Sequence, residues 1–163
     1  MHTDHRQIGL IPNNAGYSLL EVMIVVVVIA ITAAFALPNL GSLLGKKDLD
    51  SISRQMFYDF QRARSEAISK NRPVTIRLNT AGSWYQIDFS NGTNIVPRTE
   101  LPQGTTIQGT TFPLSGTVNT TGISPRGFAT QQGTVTIRST TAPTARRDRV
   151  ITLSLGGAVS INQ

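Results

Sequence analysis

From Val22 to Leu37 the chain carries no charge, and Thr32 is the only polar side chain in that run. A helix over Leu19–Leu37 rises about 1.5 Å per residue and is about 28 Å long, the thickness of a bilayer core. The pattern then changes. Leu49, Ile52, Met56, Phe60, Ala63 and Ala67 recur at intervals of three and four between Leu43 and Ser69. That spacing predicts a continuing helix with one apolar face, and core packing explains the stripe better than a binding groove does. Asp50 and Arg54 have the spacing of an i,i+4 ion pair. Arg62, Arg64 and Glu66 read as a solvated face with its own i,i+4 partner, or alternatively as a subunit contact. Pro38 removes an amide donor, so with Gly41 and Gly45 it predicts a kink or a break between Leu37 and Gly45. Asn71 and Pro73 end the helix.

Beyond Pro73 the period becomes two. Val74, Ile76 and Leu78 alternate with Thr75 and Arg77. Ala81-Gly82 supplies a turn into a second strand, Trp84–Phe89, which makes a β-hairpin. Further strands are predicted at Thr105–Ile107, Thr134–Arg138 and Val150–Leu155, with a short one at Ala158–Ile161. Gly104–Gly122 is nearly all small and polar and reads as a mobile excursion. The fold class is therefore α+β. A long N-terminal helix, with a membrane half and an amphipathic half, packs on an antiparallel β-sheet domain.

The run Gly16-Tyr17-Ser18-Leu19-Leu20-Glu21 adds a chemical problem. A carboxylate at the mouth of an apolar segment costs several kcal/mol unless it is paired, roughly 3 on insertion scales. An amino group made by cutting after Gly16 would supply the partner, and Glu21 would then be the fifth residue of the chain that begins at Tyr17. A secretory signal places its apolar stretch before the cut; here it follows, so the anchor is retained.

Composition narrows the chemistry. There is no cysteine, and both histidines, His2 and His5, precede Gly16. The chain after Gly16 therefore lacks His-based triads, thiol nucleophiles and the usual zinc ligands. Glu66, Asp88, Glu100 and Asp148 are scattered without a suggestive spacing. These features predict no enzyme, no metal and no cofactor. The net charge is +6, which favours acidic partners. Arg146, Arg147 and Arg149 form the one cluster suited to a phosphate backbone, although no aromatic accompanies it for stacking on bases.

Gly16 through Glu21, the apolar run and Pro38 together resemble the prepilin cleavage and methylation motif of type IV pilins and type II secretion pseudopilins. Tyr17 stands where phenylalanine is more usual. The segments Ala63–Ile68 and Asn71–Thr75 narrow the resemblance to the GspH/FimT family of minor pilins and pseudopilins. Trp84, Ser124-Pro125-Arg126-Gly127 and Arg149–Ser154 match it as well. The likeness is strong to about residue 90 and loose over residues 91–132.

The resemblance implies a leader at 1–16, a transmembrane or filament-core segment at 17–45 and a globular pilin-like domain at 46–163. It implies cutting after Gly16 by a prepilin peptidase and methylation of the Tyr17 amine. Glu21 would pair with that amine in a neighbouring subunit. The protein would sit in a bacterial inner membrane by a single pass, its domain outside the cytoplasm, before joining other pilin or pseudopilin subunits. Arg6 against Lys46 and Lys47 would by charge alone orient it the other way; the motif outweighs that. The implied work is to initiate or cap a pilus or a secretion pseudopilus, with Pro38 favouring the pilus. The second reading is a minor pilin that binds DNA through Arg146, Arg147 and Arg149. DNA-binding relatives carry arginines near the C-terminus, where this chain has Gly156-Gly157-Ala158-Val159. The disulfide common among pilins is absent.

Overall fold

The computed structural model describes residues 16–162, apart from the side chains of residues 35–40. The leader expected before Gly16 and the side chain of Pro38 lie outside the described residues. The chain divides into two compact units, Met1–Leu37 and Pro38–Gln163. One helix, α1 (Leu19–Ser69), contributes to both. Its backbone is helical across Pro38, so the break expected between Leu37 and Gly45 is absent. A proline forfeits one amide hydrogen bond, and a helix with packing on one side of it tolerates that loss. Gly45 is also no hinge. It is buried, and a Cβ there would collide with the side chain of Thr141, so glycine is needed for close approach.

In the second unit α1 presents the predicted stripe. Leu49, Met56, Phe60, Ala63 and Ala67 are fully buried, and Ile52 nearly so. The helix stops where the sequence implies: Arg72 N donates to Ala67 O at 3.1 Å, and Asn71 takes the left-handed conformation with φ +49°.

The strands form two antiparallel sheets. β1 (Val74–Asn79) and β2 (Trp84–Phe89) are the predicted hairpin, in register from Val74 opposite Phe89 to Asn79 opposite Trp84. They are joined by β3 (Asn94–Glu100), β5 (Leu114–Ser115) and β6 (Val118–Ile123) in the order β3-β2-β1-β6-β5. The second sheet is β4 (Thr105–Thr110), β7 (Gly133–Ser139), β8 (Asp148–Leu153) and β9 (Val159–Asn162), in the order β4-β7-β8-β9. Ile76 and Ile87 of the first sheet and Ile137, Ile151 and Leu153 of the second join the α1 stripe in one core.

The expected excursion over Gly104–Gly122 is instead built of strands. β6 lies between β1 and β5 although the residues between its ends, 119–122, are small and polar. Its polar groups are satisfied locally: Asn119 Nδ2 donates to Phe112 O at 2.8 Å, and the buried Thr121 hydroxyl to Gln131 O at 3.2 Å. β3 also went unpredicted. It holds Pro97, which a sheet accepts at its edge, and β3 is an edge strand.

Candidate assembly surface

Among the described residues of its unit, the N-terminal half of α1 is held together from within. Ser18 O accepts from Glu21 N at 2.9 Å and from Val22 N at 3.2 Å, which sets the first turn. Glu21 lies in that turn, where the helix dipole favours a negative charge. Every described side chain from Gly16 to Ala34 is exposed. Val25 is 51% exposed and Met23 62%, although both are apolar. The Thr32 hydroxyl donates back to Val28 O and Ile29 O at 3.0 and 2.9 Å, so this surface shows no unmet polar group at Thr32. Tyr17 and Glu21 border one depression with Val22, Val25 and Val26. Among the described residues no helix is long and apolar enough to cross a membrane. The expected span Leu19–Leu37 runs into the side chains that lie outside the description.

The arginine cluster does not survive as a unit. Arg146 closes a short 3-10 helix, Thr144–Arg146, and is exposed, while Arg147 is half-buried. Arg149, which a phosphate-binding cluster would need at the surface, belongs to β8 and is buried. Its Nε and Nη2 reach Asp50 Oδ1 at 3.0 and 2.7 Å, and its Nη1 donates to Asp148 O at 2.9 Å. Asp50 on α1 is thereby taken by Arg149, 99 residues away, rather than by Arg54. The signal was in the alternation: Arg149 shares its parity with Ile151 and Leu153, which face the core. Arg138 grips Asp148 with both ends of its fork, at 2.7 and 2.8 Å. Those hydrogen bonds hold the Asp148 carboxyl below the usual carboxylate range, and they push the Arg138 guanidinium up. The second reading therefore retains Arg146 and Arg147 without Arg149.

Of the scattered carboxylates, Asp88, Glu100 and Asp148 are each engaged by an arginine. Asp88 is buried on β2 between the Arg77 guanidinium and Gln86 Nε2, the latter at 2.9 Å. Glu100 pairs with Arg98, whose guanidinium lies 4.6 Å over the Trp84 ring. The Tyr85 hydroxyl donates to Asp59 Oδ2 at 2.6 Å, tying β2 to α1. Burial, with that acidic partner, drives the Tyr85 phenol well above its ordinary pKa. Arg62, Arg64 and Glu66 form no ion pair with one another, contrary to the expected i,i+4 partnership.

Comparison with known proteins fits this arrangement. Residues 53–157 match the family described as type II transport protein GspH, and residues 11–37 match the prokaryotic N-terminal methylation motif. No curated protein sequence matches the chain. Among solved structures, the type IV minor pilin FimU of Pseudomonas aeruginosa is 20% identical with a TM-score of 0.55. The match covers 72% of this chain and 90% of that one. The minor pseudopilin EpsH of the Vibrio cholerae type 2 secretion system is 11% identical with a TM-score of 0.57, over 71% of this chain and 96% of that one. At such identities the likeness is one of fold.

Proposed function

We propose a filament role for this chain on one premise: it belongs to the GspH family of type II transport proteins. It is a minor pilin or pseudopilin, a subunit whose work is interfacial rather than catalytic. The observation that carries this is the order of the two matches along α1. The methylation motif covers the exposed apolar half, and the family match begins at Ser53 within the packed half. An apolar surface of that kind marks a face that another molecule covers.

The finer reading follows from the motif. A prepilin peptidase cuts between Gly16 and Tyr17, the new amine is methylated, and the inner membrane covers residues 19–37 until assembly. In the filament the same surface is covered by other subunits. Glu21 then pairs with the Tyr17 amine of a neighbour, since an unpaired charge in a low-dielectric bundle is heavily penalised. Pro38 and the residues around it act at the transfer from bilayer to filament. Initiation or capping suits a subunit that is minor.

Two measurements on the full chain in its own cell test this. Mass spectrometry is expected to find a mature N-terminus at methylated Tyr17. Glu21→Ala is expected to be inserted and cut normally but nearly absent from sheared filaments. A different N-terminus sinks the processing assignment, and normal incorporation of Glu21→Ala sinks the pairing.

A further inference from the structure

The C-terminal turns of α1 and the β8–β9 turn enclose a groove that neither the anchor nor the core uses. Gln61, Arg64, Ser65 and Ile68 line one wall and Gly157, Ala158 and Val159 the other, around a volume of about 490 Å³. The Arg64 Nε is buried and has no hydrogen-bond partner. Among the described residues it is the only buried side-chain nitrogen or oxygen so left. A guanidinium whose Nε has no acceptor is free to turn its outer nitrogens to a ligand, and a carboxylate is the acceptor whose geometry fits such a fork.

The groove is shaped by glycines. Gly127 and Gly157 have φ of +83° and +74°. A Cβ on Gly157 would collide with the Gly127 carbonyl and come within 3.1 Å of Arg64 Nε. A Cβ on Gly127 would lie 2.7 Å from Ile68 Cδ1. The two turns thus close tightly on Arg64 without side chains of their own. Ile68, Phe128 and Leu155 are 50%, 56% and 53% exposed, and the Leu155 carbonyl is tied to Ala129 N. A guanidinium with one nitrogen lacking an acceptor results, in a groove of mixed polar and apolar lining on the edge-strand side of the second sheet.

We propose that this groove docks an acidic segment of a neighbouring filament subunit, a different protein from this one, with a carboxylate seated on Arg64. The proposal rests on the filament reading and names the partner's chemistry. Charge complementarity selects the occupant. Asp50, Asp88, Glu100 and Asp148 are committed to arginines and Asp59 to Tyr85. On the described domain that leaves Asp48 and Glu66 without such partners, so a second copy has little to offer. Arg62, Lys70, Arg72 and Arg126 flank the same end of α1 and its neighbouring turn in the sequence, and no ion pair among the described residues engages them. Apolar side chains of the segment would lie on Ile68 and Val159. DNA suits the groove less, because the single guanidinium that lines it does not follow a phosphate chain and no aromatic lines it to stack on bases.

A photo-reactive residue placed at Ser65 in the full chain, within assembled filaments, tests this. A second probe at Asn91, on an exposed turn, is the control. Cross-links from Ser65 are expected to map to an Asp- or Glu-bearing peptide of another subunit. Their yield is expected to fall by at least about tenfold with Arg64→Gln, since a buried charge pair loses that much or more when one partner is truncated. Arg64→Lys, which keeps the charge, is expected to restore part of it. If the chain is in filaments but Ser65 cross-links a non-acidic segment, nucleic acid or nothing, the docking inference fails and the filament reading stands. An unchanged yield with Arg64→Gln also overturns it. If the chain never enters filaments, both fall together. Circular dichroism of each purified variant separates misfolding from lost docking, and Arg64→Lys decides the case if Arg64→Gln unfolds.

Discussion

Both halves of α1 carry large apolar side chains, and those side chains have opposite fates. Between Val22 and Ile31 the apolar side chains keep half or more of their surface exposed, whereas Leu49, Met56 and Phe60 keep none. The apolar side chains alone do not separate them; their arrangement among polar ones does. A stripe at three and four leaves a polar back for water and can be buried by one sheet. A run that is apolar all round has no such back, so it needs a lipid or several helices around it. The first half is therefore written for other molecules and the second for its own domain.

The sharpest test of that contrast is a pair of truncations in the full chain held in detergent. Phe60→Ala is expected to cost about 3–5 kcal/mol in chemical denaturation of the domain. Val25→Ala is expected to leave that transition within about 0.5 kcal/mol. Equal effects would mean that the N-terminal half is part of the folding unit. The next test concerns what else fixes α1 to the sheets. Arg149→Ala removes the partner of Asp50 and is expected to cost about 2 kcal/mol. Water reaching the partly exposed Asp50 relieves part of the loss. Arg146→Ala, in the same basic cluster but exposed, is expected to change stability by less than about 0.5 kcal/mol.

The smallest effect belongs to the pair that joins β7 to β8, Arg138 and Asp148. The folded pKa of Asp148 lies below its ordinary value because Arg138 hydrogen-bonds the carboxylate. Its contribution to stability is therefore complete above the unfolded pKa of about 3.9 and is lost as pH falls through the folded value. Denaturation measured from about pH 5 down to pH 2 is expected to show a shallow loss, part of which Asp148→Asn removes. A steep loss confined to this pair would show that charge, rather than burial, holds the domain half.

Much of this was legible in the sequence because its grammar is short-range. The α1 stripe, the stop at Asn71 and Pro73, the β1–β2 hairpin and strands β4, β7, β8 and β9 all follow from spacing. What escaped depends on distant partners. β6 reads as a polar loop until β1 lies beside it and the 130–131 segment receives its hydroxyl. Gly45 reads as softness until Thr141 lies against it. Arg149 reads as part of a basic loop until β8 turns it towards Asp50. Arg64 reads as a solvated face because nothing nearby in the sequence reveals the two glycine turns that close over it.

The unbroken backbone of α1 has a mechanical consequence. A pull applied at the start of the packed half of α1 is met by the helix rather than by a loop. The contacts of Leu49, Ile52, Met56, Phe60, Ala63 and Ala67 then bear the load side by side, in shear, instead of parting one after another like a zipper. The Arg149–Asp50 and Tyr85–Asp59 bonds brace the same helix from both sheets. Tension on the packed half of α1 is thus shared between the two sheets.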